Sequence, residues 1–188
     1  MRTRLPRAER EQQMLATARA LFAERGYAEV TMDEVASAVG VTKPLLYTYF
    51  GNKEQLFLAG MQPAAEQLLD AVVAAVESAD GPAQALRSGI HAYFAFLDAD
   101  HEAWRLLYDE TLPSGGEIAG HVAAYRKRLA RLVTAALHSE NPAVEPLSIA
   151  ILGAAEALGR WWLRTRAIPA DRAAELLIRT LEPGLRNP

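Results

Sequence analysis

Apolar residues recur at three- and four-residue steps along almost the whole chain, and the alternation expected of half-buried strands is missing. This spacing predicts an all-α protein of about nine helices. The first helix is expected over residues 7–25, with Gly26 placed to end it. The later helices are expected over about 53–78, 82–97, 100–111, 117–138, 146–166 and 170–182.

The second and third helices carry clear start signals. Thr31 and Glu34 form a capping box, in which the hydroxyl accepts a free amide and the carboxylate reaches back to the cap. Gly40 ends the second helix, and Thr42 is placed to cap the third. Pro44 falls in the first turn of the third helix, where proline breaks no internal hydrogen bond.

The fourth helix contains two residues that disfavour a regular helix, Gly60 and Pro63. Proline removes one hydrogen bond and crowds the carbonyl group four residues earlier, so the sequence predicts a kink or a break here.

Between Met32 and Tyr49 the apolar and small positions have the spacing of a helix-turn-helix. Ala36 allows close approach of the two helices, and Gly40 permits the turn. The residues expected on the outer face of the second helix of this pair are Thr42, Lys43, Pro44, Leu45, Tyr47 and Thr48.

In a helix-turn-helix protein, the N-terminal part of that second helix enters the major groove of DNA. There Lys43 can reach guanine O6 and N7, and Pro44 or Leu45 can contact a thymine methyl group. Tyr47 and Lys53 suit phosphate. Two alternatives remain at this point: a helical hairpin with a solvated surface, and a hairpin used only for protein contacts.

The charge distribution changes this picture modestly. The chain has a formal net charge of −3. Residues 1–53, called the head here, carry eight Lys and Arg against six Asp and Glu, so the net charge of the head is +2 and that of the remainder is −5. A basic head suits a phosphate partner. Arg2, Arg4, Arg7 and Arg10 precede or open the first helix; they form either an arm that enters the minor groove or a frayed basic terminus.

Two longer runs of residues make the identification more specific. They are Gly26-Tyr-x-x-Val30-Thr-x-x-x-Val-Ala36 and Gly40-Val-Thr-Lys-Pro-Leu-Leu-Tyr-Thr-Tyr-Phe-Gly-Asn-Lys-Glu-Gln-Leu-Phe57. Over about residues 8–58 the chain resembles the DNA-binding domain of the TetR family of transcriptional repressors.

The resemblance implies a homodimer that binds a palindromic double-stranded operator and is released by a small-molecule effector. It implies a DNA-binding domain over residues 1–55 and a ligand-binding and dimerisation domain over 56–188. By position, Thr31 and Thr42 would touch phosphate, and Tyr47 and Lys53 would hold the DNA backbone. The residues implied to face bases are Lys43, Pro44, Leu45 and Thr48.

The chain departs from the family pattern at three of these positions. Many members have glycine at the position of Pro44, a small or hydroxyl residue at that of Leu45 and histidine at that of Thr48. The operator sequence therefore cannot be taken from a relative.

An enzyme is the formal alternative function, and the sequence offers no catalytic constellation for one. Cysteine is absent, the four histidines form no HExxH motif, and Ser114-Gly-Gly116 matches no nucleophile or phosphate-loop motif. The sequence predicts no catalytic residue, no metal site and no cofactor. No signal peptide and no membrane span are recognisable, so a cytoplasmic protein is expected.

The last two helices are predicted to form the dimer interface. Residues 147–163 are apolar or small nearly all round the helix, so this helix needs two partners, its own domain and a second copy of the chain. The alternative is burial in a monomer core. The expected interface residues are Leu152, Ala155, Leu158, Trp162, Ala174, Leu177, Ile178 and Leu181.

A ligand pocket is predicted in the C-terminal part, where aromatic and polar-tipped residues concentrate. Plain core is the alternative for each of them. The expected guest is a flat or largely apolar small molecule, and the signal is expected to reach the DNA head through the fourth helix. The expected ligand-binding residues are His91, Phe94, Trp104, Tyr108, Tyr125 and Trp161.

Overall fold

The computed structural model describes residues 6–137 and 144–185, and these residues form nine α-helices and no strand. The prediction of an all-α protein is confirmed. The helices are α1 (Arg7–Arg25), α2 (Met32–Val39), α3 (Lys43–Phe50), α4 (Lys53–Glu77), α5 (Pro82–Ala99), α6 (His101–Leu107), α7 (Gly116–Leu137), α8 (Val144–Thr165) and α9 (Ala170–Leu185).

The described residues pack into two compact units. Unit 1 comprises the residues up to Ala65 and Glu102–Val122, and unit 2 comprises Glu66–His101 and the residues from Ala123 onwards. This division differs from the predicted boundary after residue 55. Segment 102–122 joins unit 1 because Asp109 accepts a hydrogen bond from the amide of Tyr27, and Glu54 accepts from the amides of Glu117 and Ile118.

The first three helices end and begin as the sequence predicts. The capping box of α2 is complete, with the Thr31 hydroxyl accepting from the Glu34 amide and the Glu34 carboxylate accepting from the Thr31 amide. Gly40 adopts the left-handed conformation that ends α2, with φ 76°. Thr42 is the N-cap of α3, but its side chain makes no capping hydrogen bond.

Of the kink or break predicted near Gly60 and Pro63, the break is wrong. Helix α4 runs from Lys53 to Glu77 with Pro63 inside it. Pro63 itself is exposed, while Met61, Ala64 and Leu68 are buried on the other side. Burial of this apolar face outweighs the loss of one backbone hydrogen bond.

Unit 2 is held by an apolar core and by ion pairs between α5 and α9. Phe94 and Trp162 are almost completely buried. Arg87 on α5 pairs with Glu175 and Glu182 of α9, at 2.8 and 2.7 Å. This packing fixes which side of α9 is available to other molecules.

The charge of Glu34 makes the stability of unit 1 depend on pH in the acid range. Hydrogen bonds from Arg25, from the amide of Thr31 and from its hydroxyl lower the Glu34 pKa from 4.5 to about 2. A carboxyl group with a lowered pKa in the folded state adds stability above pH 4.5, and this stability is lost as the pH falls through about 2.

We therefore expect Glu34→Gln to lower the melting temperature at pH 7 and to have a progressively smaller effect as the pH falls towards 2. The amide keeps the shape of the side chain and can still accept from Thr31, so the comparison isolates the charge. Melting curves from pH 7 to pH 2 measure the difference, with Glu24→Gln on the exposed side of α1 as the control. A difference that stays constant down to pH 2 would contradict this account.

Candidate nucleic-acid interface

Helix α3 has one side in the core of unit 1 and the other side free. Leu46 and Phe50 are buried, and α3 packs on α2, whose buried residues include Val35 and Ala36. Leu45 is half-buried. The remaining predicted contact residues of α3 and its cap are exposed together along the opposite side, namely Thr42, Lys43, Pro44, Tyr47 and Thr48.

Lys43 joins the first turns of α2 and α3. Its ammonium group lies 2.9 Å from the carboxylate of Asp33, and this hydrogen bond raises the pKa of Lys43. The amino ends of the two helices are therefore close together, on the side that carries Thr31 and Thr42. Helix amino ends attract phosphate through their free amides and the helix dipole.

Two of the three predicted threonine contacts already have partners within the chain. The Thr31 hydroxyl donates to Glu34 at 2.8 Å, and the Thr48 hydroxyl donates to the carbonyl of Pro44 at 2.8 Å. Their oxygens keep a lone pair, but a hydroxyl that donates to DNA must first give up its present acceptor.

Lys53 has a structural contact that the sequence did not reveal. Its ammonium group donates to the carbonyl of Ala28 at 3.2 Å and lies 4.3 Å from the centre of the Tyr27 ring. Burial lowers the pKa of Lys53. Lys53 therefore fixes the turn after α1, in addition to its predicted contact with phosphate.

The segment after α6 holds the same turn from another direction. Asp109 accepts from the Tyr27 amide at 2.6 Å, and Thr111 accepts from the Ala28 amide at 3.2 Å. A Cβ atom at Gly26, which has φ 82°, would lie 2.8 Å from the Thr111 hydroxyl. These partners are more than 80 residues apart in sequence, and no local motif marks them.

Of the predicted arginine arm, Arg2 and Arg4 lie outside the described residues. Arg7 opens α1, and its guanidinium carbon lies 5.4 Å from the centre of the Tyr49 ring, one residue after Thr48 in α3.

The six predicted ligand-binding residues are divided between the two units, with two in unit 1 and four in unit 2. Trp104 and Tyr108 are buried in unit 1, with ring centres 4.6 Å apart. Phe94 and Tyr125 are buried in unit 2. His91 is tied to Asp171 and Glu175 of α9, and Trp161 is exposed. A cavity in unit 2, described below, is lined by other residues.

The predicted dimer residues also need correction. Ala155, Trp162, Ala174, Leu177 and Ile178 are buried in the chain's own core, and Leu152, Leu158 and Leu181 are half-buried. A helix that is apolar all round gives no sequence signal for which side faces inward. Among the side chains that the structure describes on the last two helices, the large apolar ones that remain outside are Ile149, Trp161 and Leu176, with 61%, 36% and 46% of their surface exposed.

Within residues 6–137 and 144–185, none of the helices has both the length and the apolar character needed to cross a bilayer. In the same part of the chain, no three His, Asp or Glu side chains are grouped to hold a metal ion.

Comparison with known proteins agrees with the geometry of α2 and α3. Residues 14–59 match the family described as "Bacterial regulatory proteins, tetR family", and residues 82–182 match "Tetracyclin repressor-like, C-terminal domain". The HTH-type transcriptional activator FasR of Mycolicibacterium smegmatis is 30% identical over 98% of this chain and 86% of its own length.

Two solved structures are similar in fold. A TetR-like transcriptional regulator from Rhodococcus sp. RHA1 is 33% identical, with a TM-score of 0.84 over 98% of this chain and all of its own. AibR, in complex with isovaleryl coenzyme A and operator DNA, is 21% identical, with a TM-score of 0.78 over 90% of this chain and 96% of its own. From the family matches and the full-length relatives, the chain belongs to the TetR family of bacterial transcriptional regulators.

Proposed function

We propose that this DNA-binding regulator inserts the exposed side of α3 into the major groove of a two-fold symmetric operator. The observation that carries the proposal is the two-sidedness of α3: Leu46 and Phe50 are buried in the core, while the side chains of Lys43 and Tyr47 are exposed on the opposite side. The protein acts in the cytoplasm through binding and not through catalysis.

Each part of the exposed side has its own task in this proposal. Lys43, Pro44, Leu45 and Thr48 face bases. Thr31, Thr42, Tyr47 and Lys53 hold the phosphate backbone. Lys43 must exchange its bond to Asp33 for one to guanine, and this exchange is favourable only where the correct base offers two acceptors.

The outer sides of α8 and α9 support a homodimer. Pro146, Ile149, Gly153, Ala157 and Trp161 are exposed and follow one another on α8 at steps of three and four residues. Leu176 of α9 is exposed as well, and exposed apolar side chains of this kind favour association. A dimer formed through these residues contains two copies of α3, one for each half-site of a two-fold symmetric operator.

The C-terminal match and the cavity of unit 2 support a small-molecule effector. AibR, of the same fold, holds both a ligand and DNA. Effector binding releases the operator in this proposal, as expected of a repressor. The effector can do so only by binding the DNA-free state more tightly than the DNA-bound state.

Three lysine variants test the proposed DNA contacts. Lys53→Ala is expected to weaken binding to every sequence and to reduce the salt slope by about one, because one phosphate contact is lost. Lys43→Ala is expected to remove about 1–3 kcal/mol of preference at one base pair. Titrations of operator and scrambled DNA at several salt concentrations separate the two effects.

Lys127 is the matched control, since it is the third lysine of the chain and is exposed on α7. Lys127→Ala should leave affinity and salt slope unchanged. Melting curves of Lys53→Ala show how much of its effect comes from the lost contacts to Tyr27 and Ala28. Equal losses in all three variants would contradict the proposed interface.

A further inference from the structure

An apolar cavity of about 50 Å³ lies within unit 2, among α4, α5, α7 and α8. Its wall consists of aliphatic side chains, one glycine and Tyr93, and it presents no polar surface. Most of the wall is buried. The half-exposed lining residues are Val76, Gly89, Leu132, Val133 and Leu152. They mark the side from which a ligand enters the cavity.

The chemistry of the wall restricts what can enter. A charged or hydrogen-bonding group loses its water and finds no partner there, which costs free energy. The ion pair between Arg126 and Glu156, at 3.2 Å, joins α7 and α8 one helical turn from the lining residues Leu129 and Leu152. An anion that took Arg126 would leave the half-buried Glu156 carboxylate without this partner.

The size of the cavity restricts the guest further. A cavity that binds benzene has about 150 Å³, three times the volume available here. On that scale roughly two or three carbon atoms fit without movement of the wall. The end of an unbranched alkyl chain has the cross-section of one methylene group and meets this limit, whereas an aromatic ring does not.

We propose that this cavity receives the end of an unbranched aliphatic chain, and that the effector is a small molecule whose polar end stays outside. The proposal rests on the proposed ligand response of the protein and names the class of ligand. It narrows the expectation of a flat or apolar guest, because a flat ring is too large for the cavity.

Gly89 on α5 is one of the half-exposed residues that line the cavity. A Cβ atom at this position would lie 3.3 Å from Cγ2 of Val76 and 3.7 Å from Cγ1 of Val72, and both valines line the cavity. A methyl group at position 89 therefore crowds Val76 and makes an ordinary contact with Val72. Gly120 on α7 has nothing within 4 Å of its Cβ position, so Gly120→Ala is a matched control.

The test uses the full-length protein without DNA and measures the binding of straight-chain alcohols from methanol to heptanol by calorimetry and melting temperature. Affinity is expected to rise about fourfold for each methylene group that enters the cavity, and then to level off. Benzyl alcohol, with the carbon number of heptanol, is expected to bind more weakly than heptanol.

Two variants, Gly89→Ala and Leu152→Ala, are expected to change alcohol affinity in opposite directions. Gly89→Ala should lower heptanol affinity about fourfold, the contribution of one methylene group, while Gly120→Ala leaves it unchanged. Leu152→Ala enlarges the cavity and should raise the affinity for benzyl alcohol. Leu152→Ala keeps the test decisive if Gly89→Ala does not fold.

The proposal is overturned if benzyl alcohol binds wild type at least as tightly as heptanol does. It is also overturned if Gly89→Ala and Gly120→Ala change heptanol binding equally. If the protein does not bind alcohols but still selects its operator, the proposed ligand class is wrong and the proposed DNA-binding function stands. Alcohol binding that follows these expectations in a protein without operator preference supports the cavity assignment and overturns the proposed function alone.

Discussion

Ile149→Asp is expected to convert the proposed homodimer into single chains and to abolish tight operator binding. Ile149 is the most exposed large apolar residue of α8, with 61% of its surface free. In a two-fold interface each substitution occurs twice, so two carboxylates lose water without gaining a partner.

The effect on DNA follows from the loss of the second head. Two linked heads bind two half-sites with an avidity that exceeds the affinity of one head by about 10²–10⁴-fold, and the monomer loses this factor. Light scattering at micromolar concentration should give the mass of one chain, 20.5 kDa, for the variant and twice that value for wild type.

Ala124→Asp is the control for this substitution, because Ala124 is also an exposed apolar residue but belongs to α7. It should keep both the dimer mass and the operator affinity. A wild-type protein with the mass of one chain, or an Ile149→Asp variant that stays dimeric, would show that the outer side of α8 is not the interface.

Leu46→Ala and Leu45→Ala are expected to separate stability from recognition at neighbouring positions. Leu46 is completely buried, so the truncation should lower the free energy of unfolding by about 2–5 kcal/mol. Leu45 is half-buried on the side proposed to face bases. Its truncation should leave the melting temperature nearly unchanged and lower the preference for the operator.

Denaturant unfolding and operator titration of both variants measure the two effects. If Leu45→Ala unfolds as easily as Leu46→Ala, α3 is oriented differently from this structure. If Leu45→Ala binds operator and scrambled DNA as wild type does, Leu45 does not contact bases.

The features of unit 1 that the sequence predicted correctly are local. Thr31, Glu34 and Gly40 act through neighbours within a few residues, and their caps stand where the pattern places them. The contacts of Asp109 and Thr111 with residues 27 and 28 depend on chain segments far apart in sequence, so no short motif predicts them.

The fourth helix shows how tertiary packing overrides a local signal. Pro63 weakens one turn, but the buried residues on both sides of it along α4 keep the helix continuous. The rule that proline disfavours a helix describes the cost of the lost hydrogen bond correctly. It does not include the burial of apolar side chains that offsets this cost.

The last two helices show a different limit. Residues 147–163 are apolar on nearly every side, so the sequence does not distinguish the side that packs on α5 and α9 from the side left outside. Trp162 lies inside and Trp161 outside, although they are the same residue type at adjacent positions. The predicted interface therefore contained residues of the chain's own core.

The cavity lining was not predictable from residue type either. The prediction chose aromatic and polar-tipped residues such as Trp104 and His91. The cavity is instead lined almost wholly by aliphatic side chains of ordinary core type. Only the packing of four helices reveals that these side chains leave a space.

The most direct test of the central claim is the ratio of affinities for the DNA upstream of the protein's own coding sequence and for random DNA of equal length, at about 0.15 M salt. Insertion of α3 into two major grooves predicts a ratio of about 10³–10⁷ and a two-fold symmetric footprint, with half-sites separated by about one helical turn or a multiple of it. Equal affinity for the two DNAs, with no protected region, would contradict the account.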